Sequence, residues 1–259
     1  MAARTKSPIT AKPLRVPGQT LARQVDNTAA EIGLLISGIL GELIIIGNFW
    51  WRWYHPQVSH PHPLPGTIIG LAIVAVLVIL VIRRIRKIKN LKLGRDGEIA
   101  VGQFLERMQG TNSLLFHDVP GDHFNLDHVL VCNQGIFVIE TKTLSKPIRG
   151  EVHIRVKDGE VYANQFRLDR NPITQATAEA RWLENLLEQS TGKKFPIQPV
   201  VLFPGWYVDP QPSAERQKVW LLEPKALPAF VGNCSTCIKD EDVHMVSFHL
   251  SRYIRSSEE

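Results

Sequence analysis

The stretch DHVLVCNQGIFVIETK, residues 127–142, holds two short apolar runs on either side of Asn133-Gln134-Gly135. Runs rich in Val and Ile, broken by turn-forming residues, predict strands over 127–132 and 136–142 joined as a tight hairpin. Side chains alternate faces along a strand, so Glu140 and Lys142 project to one side, and Ile136 and Val138 line the core on that same side. Asp127 joins them in one register only. If Cys132 pairs with Gly135, Asp127 stands opposite Glu140. A three-residue loop would turn Asp127 to the other face unless a bulge restored it.

Upstream of this hairpin, Asp96 is placed to cap a helix over about 97–109, with Ile99, Val101, Phe104, Leu105 and Met108 turned inward. Leu114–Val119 reads as a strand. Downstream, residues 151–162 read as a second hairpin turning at Asp158-Gly159. Asn171 caps and Pro172 opens a helix reaching about 190, with Ile173, Ala176, Ala180, Leu183 and Leu187 at helical spacing. Pro199–Phe203 and Val219–Leu222 look like buried strands, and about 240–255 reads as an amphipathic helix. The order predicts an α/β (α+β) fold, a central mixed sheet flanked by helices.

The chain before residue 94 is unlike the rest. Residues 1–95 hold 13 Lys/Arg against 3 Asp/Glu, whereas 96–259 hold 17 against 22. The formal net charge of +5 therefore belongs to the N-terminal part and says nothing for nucleic-acid binding by the C-terminal part. A hydrophobic content of 44% excludes wholesale disorder. No Gly-rich nucleotide loop occurs, so no motor activity is implied. Three cysteines, Cys132, Cys234 and Cys237, argue against a disulfide framework and for a reducing compartment.

Two apolar runs dominate the N-terminal part, Ile32–Trp51 and Leu64–Ile82. At about 1.5 Å per residue each reaches the thickness of a bilayer's hydrocarbon core. They predict a transmembrane helical hairpin in a lipid bilayer. Arg4, Lys6, Lys12, Arg15 and Arg23 precede it, seven basic residues from Arg83 to Arg95 follow it, and only Arg52 lies between. The positive-inside rule then places both termini, and the 94–259 domain, on the cytoplasmic side of an integral membrane protein, with 52–63 outside. The expected organisation is a basic disordered tail over 1–31, two spans over 32–82, a basic linker over 83–93, and a globular domain over 94–259. Glu42, mid-span, reads as a carboxyl packed against the second helix or another copy of the chain; the rival reading is an ion site. Gly33, Ser37 and Gly41, with Gly66 and Gly70, would let helices approach closely, within the hairpin or as a homo-oligomer.

Asp127, Glu140 and Lys142 carry the chemistry. Hydrolysing a phosphodiester adds negative charge to an anionic group. Two carboxylates can hold Mg²⁺ (or Mn²⁺), and a lysine two residues along the strand can orient the attacking water or neutralise the charge that develops. Metal and lysine together would invert the local field that carboxylates alone present to a nucleic acid.

Three companions accompany this set: Gly94-Arg95-Asp96-Gly97-Glu98, Asp127-His128, and Asn171-Pro172-Ile173-Thr174-Gln175. In this order they resemble the nuclease-related domain, NERD, a branch of the PD-(D/E)xK restriction-endonuclease-like superfamily, over roughly 94–232. The resemblance implies a restriction-endonuclease-like core and a metal-dependent nuclease acting on DNA or RNA. It implies Asp127 and Glu140 as metal ligands and Lys142 as the water-activating residue. Glu98 would support metal or water from the first helix, and Gln175 would point into the site from its own.

Blander readings stand beside these. Glu98 also suits a helix start electrostatically, and Gln175 a solvated helix surface. His128 points away from Asp127 and reads as a satisfied core histidine, and Arg149 as a solvated turn residue. Cys234 and Cys237 with His244 and His249 have a superficial zinc pattern. The two histidines, five apart on a helix, diverge by about 140°, so two reduced thiols in a loop is the simpler reading. The rival functions are a tethered domain that holds nucleic acid without cutting it, and a small-ion membrane protein centred on Glu42.

Overall fold

A computed structural model describes residues 14–55, 61–110, 112–147, 149–150, 152–211 and 218–257. Of the disordered tail expected over 1–31, residues 1–13 lie outside the described residues, whereas 14–18 pack on the domain and a helix already begins at Gln19. The middle of the loop between the two apolar helices and Glu151 at the start of the second hairpin are also outside them. Internal contacts divide the chain into two units: Thr20–Lys92, and the segment up to Gln19 together with Leu93 onward.

The first unit is a helical hairpin. Helix α1 runs Gln19–Tyr54 and α2 runs Leu64–Glu106, both long and apolar enough to cross a membrane. Their contacts ascend along one helix as they descend along the other, so they pack antiparallel. Arg84 Nε pairs with Glu31 Oε2 at 2.9 Å, and Trp50 Nε1 donates to Thr67 Oγ1 at 2.9 Å. A Cβ on Gly66 would press on the Phe49 ring, and one on Gly70 would lie 2.8 Å from Glu42 Oε1. Glu42 is therefore packed against the second helix through Gly70, as the blander reading expects. Gly33 and Gly41 have nothing within 4 Å of a built Cβ, so the close-approach positions within this hairpin are Gly66 and Gly70. Leu34, Leu40, Ile44, Ile68, Leu71 and Val76 all face outward.

Two boundaries differ from the sequence reading. Helix α1 begins at Gln19, well before the apolar run, because TLARQVDNTAAE contains neither Pro nor Gly to stop it. No separate helix starts at 97. Helix α2 passes unbroken through the basic stretch into the domain, since Lys, Arg, Leu and Ile are good helix formers and Gly94 and Gly97 are tolerated singly. Asp96 is consequently mid-helix and exposed, bonded to Arg95 at 2.8 Å rather than capping.

In the second unit, β1 (Ser113–Pro120), β2 (Asn125–Cys132), β3 (Gly135–Thr141), β7 (Ile197–Leu202) and β9 (Trp220–Leu222) form one sheet in the order β1-β2-β3-β7-β9. The first three are antiparallel, and β7 and β9 continue parallel to β3, giving the expected mixed sheet. Helix α3 (Pro172–Thr191) and helix α5 (Asp240–Ser256) cover one face, where Leu183, Leu187, Val246 and Leu250 meet Val129, Ile136 and Val138. The end of α2 and the short α4 (Leu227–Gly232) cover the other, where Val101, Leu105 and Leu227 meet Leu130, Phe137 and Ile139. A smaller sheet, β4 (His153–Lys157), β5 (Glu160–Ala163), β6 (Phe166–Arg167) and β8 (Tyr207–Val208), has a core of its own around Ile154, Val161, Phe203 and Trp206. Both pieces of the mixed α+β class are thus present: the sandwiched sheet, and two long apolar helices ahead of it. The two-residue strands β6 and β8 and helix α4 were not anticipated; each is too short to show a periodic pattern.

Candidate functional site

The site grows from the register of the central hairpin. Cys132 pairs with Gly135 and His128 with Ile139, so the next step outward sets Asp127 opposite Glu140. Gly135 at φ 144° lets Asn133-Gln134 close the turn in two residues, the loop length on which the facing of the two acids depends. Asp127 Oδ2 accepts the Thr141 N–H at 2.7 Å, locking the open end of the hairpin.

Glu140 is 4% exposed, and its Oε1 accepts from Lys142 Nζ at 2.6 Å. The same ammonium donates to Gln175 Oε1 at 2.8 Å. Gln175 reaches it because Asn171 sets the start of α3. Its Oδ1 accepts the Ile173 N–H at 3.0 Å, its Nδ2 donates to Gly159 O at 2.7 Å, and Pro172 pre-sets the first turn. An ammonium has three N–H groups, so two are spoken for and one is left. Lys142 keeps an exposed edge through which that third donor can reach a ligand.

Glu98 comes from the opposite side of the sheet. Helix α2 approaches the end of β3 closely at Gly97, where any Cβ would overlap the Thr143 side chain. This close approach, rather than an N-cap, is what the G-x-x-G-E pattern encodes. Glu98 is buried and accepts the Gly18 N–H, and its carboxyl is pushed up to about 8. Burial is the main cause, with Asp118 and Glu140 adding to it and Lys142 and the Gly18 N–H opposing it.

Two acids that the sequence reading missed complete the surroundings. Glu179, 2% exposed on α3, accepts from Gln175 Nε2 at 2.8 Å. Burial and then Glu140 push its carboxyl up to about 8. Asp118, buried with φ 50°, takes Arg15 Nη1 at 3.3 Å and Asn125 Nδ2 at 3.0 Å. Asp127 is half-buried as a residue, but its carboxyl is enclosed. Burial, then Glu140 and Glu98, raise it well above the usual carboxylate range.

Arg15 belongs to a short strap, 14–18, that lies along the domain. A Cβ on Gly102 would sit 2.5 Å from the Pro17 ring, so glycine there makes room for the strap. Nothing in the sequence reading foretold this docking, because a short segment ending in a Pro-Gly turn carries no periodicity.

The structure therefore brings Asp127, Glu140, Lys142 and Gln175 together and places Glu98 within their electrostatic reach. His128 is a core residue as expected, but satisfied on one nitrogen only: its Nδ1 lies 2.8 Å from His117 Nδ1 while its buried Nε2 has no partner. Burial pulls both imidazoles below their usual range, so the pair stays neutral. Arg149 is exposed. The Cys237 thiol donates to Gln134 O and the Cys234 thiol to Phe230 O, so backbone carbonyls occupy both.

Among the described residues, no three His, Cys, Asp or Glu side chains are grouped to hold a metal ion. Asp127 and Glu140 are the two acids that would hold such an ion. Two features fit that pair to a divalent cation. Asp127, Glu98 and Glu179 each lie within electrostatic reach of Glu140, and a single lysine is bonded to it, an excess of buried acid over positive charge. Glu140 Oε2 and Glu179 Oε2 are both buried without a hydrogen-bond partner. All the oxygens are hard donors, which suits Mg²⁺ or Mn²⁺ completed by water and phosphate oxygens.

The mixed sheet thus brings two acids and a lysine together on a pair of neighbouring strands. Residues 93–204 match the family model of the nuclease-related domain, NERD. The resemblance read from the four short motifs is borne out, although the match stops at 204 rather than about 232, leaving β8, β9, α4 and α5 beyond it. Neither the curated proteins nor the solved structures yielded a match.

Proposed function

We propose that this protein is a membrane-anchored, divalent-metal-dependent nuclease that hydrolyses phosphodiester bonds of nucleic acid on the cytoplasmic side. The observation that carries the reading is the Lys142 ammonium, held between Glu140 and Gln175 beside Asp127. A buried acid surplus with one oriented cation is poorly suited to holding a fold together and well suited to handling phosphate.

Asp127 and Glu140 would hold Mg²⁺ or Mn²⁺, which when bound supplies Lewis-acid stabilisation of the phosphate charge and a more acidic water. Glu140 and Gln175 fix the lysine so that its third N–H points out of the network. Lys142 orients the attacking water or neutralises the phosphate. Glu98, supported by the strap, stands on the far side as a carboxyl able to hold a proton near neutral pH. Anchoring rests on the outward-facing apolar surface of α1 and α2, and sidedness on the basic residues that flank them.

The test uses the full chain in lipid nanodiscs with labelled DNA and RNA, and Mg²⁺, Mn²⁺ or EDTA. Metal-dependent cleavage that disappears in Asp127→Ala and Lys142→Ala is expected. Retention of nucleic acid without cleavage under every condition would replace the nuclease by a tethered binding domain.

A further inference from the structure

Gln175 has two chemically different ends, and a lysine ammonium can use only one of them. In the structure its Oε1 faces Lys142 and its Nε2 faces Glu179. A carboxamide free to turn over would bring an NH₂ against an NH₃⁺ and lose the hydrogen bond. What fixes its direction is the group at the Nε2 end. Glu179 Oε1 accepts there, and its carboxyl also interacts with Glu140. Residues four apart share a helix face, and side chains lean toward the helix N-terminus, so Glu179 leans back onto Gln175.

Stability does not explain Glu179. Its position lies on the apolar stripe of α3, between Ala176 and Leu183, where it is 2% exposed and has one oxygen without a partner. A methionine or leucine there would bury no orphaned acceptor. The unpartnered Oε2 points into the same acid cluster as Glu140 Oε2.

We infer that Glu179 is a positioning residue that orients Lys142 through the Gln175 carboxamide, a relay running from helix α3 to the end of β3. The inference rests on the nuclease reading for its purpose, but not for its test. Glu179→Gln supplies a side chain that can donate as well as accept, so Gln175 loses its imposed direction and Lys142 loses an acceptor.

The experiment compares full-length wild type, Glu179→Gln, Glu179→Met, Gln175→Ala and the double variant Gln175→Ala/Glu179→Gln, all metal-free. Competitive acetylation of Lys142 by acetic anhydride, followed by mass spectrometry, reads the freedom of its amine. Cleavage kcat and KM with Mg²⁺ and thermal unfolding are recorded in parallel. Lys142 is expected to label several-fold faster in each single variant, and no faster in the double than in Gln175→Ala, because both changes cut one relay. Cleavage should lose about tenfold in kcat with KM little changed, the signature of a misoriented group rather than a lost binding contact, while thermal stability holds or rises. Unchanged labelling in Glu179→Gln and Glu179→Met, additive effects in the double variant, or unfolding of both Glu179 variants would overturn the inference. A wild type that never cleaves would sink the nuclease reading and leave the labelling result standing.

Discussion

The two units treat their carboxylates in opposite ways. In the helical hairpin, Glu31 meets Arg84 at an exposed surface, and Glu42 lies over a glycine on the neighbouring helix. In the domain, Glu98, Glu140, Glu179 and Asp118 are buried, and Lys142 pairs with Glu140 alone among them, its second bond going to the Gln175 amide. The hairpin spreads apolar side chains outward and keeps its acids few. The domain sinks its apolar side chains into three clusters and gathers its acids at the strand ends. An acid cluster in a well-packed core is costly, so its presence marks where chemistry rather than stability sets the sequence.

That contrast breaks most visibly at the lysine. Lys142→Ala should lower metal-dependent cleavage by about a thousandfold, within the range for removing a positioned charge or proton-transfer group. Thermal stability should fall as well, by about 1–3 kcal/mol, because buried Glu140 loses its ion-pair partner, so cleavage is compared well below the unfolding transition. Cleavage equal to wild type would remove the domain's distinction altogether.

Glycines give the next largest effect and separate the units directly. Gly97→Val puts side-chain atoms into Thr143 and pries α2 from β3, at a cost of about 1–3 kcal/mol by denaturant unfolding. Cleavage should fall as well, through displaced Glu98. Gly70→Leu, which crowds Glu42 and Ile46, should alter packing in the hairpin while leaving cleavage by the domain unchanged. Equal losses of activity from both would mean that the two units do not act separately.

The acid surplus also sets a pH dependence. Glu98 and Glu179 have folded-state carboxyls near 8, raised from 4.5. Their neutral forms favour the fold, so that contribution is fully present below about pH 4.5 and is lost as pH rises through about 8. Metal-free protein should show a Tm falling across this window, with a shallower fall in Glu98→Gln. Mg²⁺ should release protons on binding, measurable as a buffer-dependent enthalpy. A Glu98→Gln profile parallel to wild type would remove that acid from the account.

The smallest effects compare two ion pairs. Arg15 and Asp118 have side chains 9% and 4% exposed, so Arg15→Ala should cost about 1–2 kcal/mol as Asp118 loses a buried partner. Arg84 and Glu31 are 44% and 47% exposed, and Arg84→Ala should cost less than about 0.5 kcal/mol. Unfolding followed by tryptophan fluorescence resolves the two.

The hairpin over 127–142 was readable in its two strands and its turn residues, but the register that pairs the acids was left between a two- and a three-residue loop, and the pairing of Cys132 with Gly135 decides it. The Asn171-Pro172 start of α3 was readable for a local reason: a cap and a fixed φ act within one turn. The span lengths of the two apolar helices follow from composition alone. The unbroken course of α2 was not anticipated, because Asp96 looks like a cap, and a cap forms only where the helix has no reason to continue.

Local residues by themselves determined the strands of the main sheet, its central turn, the start of α3 and the two apolar runs, since each depends on neighbours within a few positions. Only the tertiary structure decided that Glu179 faces Gln175, that Asp118 and the 14–18 strap stand near Glu98, and that Gly97 serves a close crossing. Those facts depend on which helix lies over which strand end. Burial, which converts an ordinary carboxylate into one that keeps its proton near neutral pH, is a property of the packed whole and of no single stretch of chain.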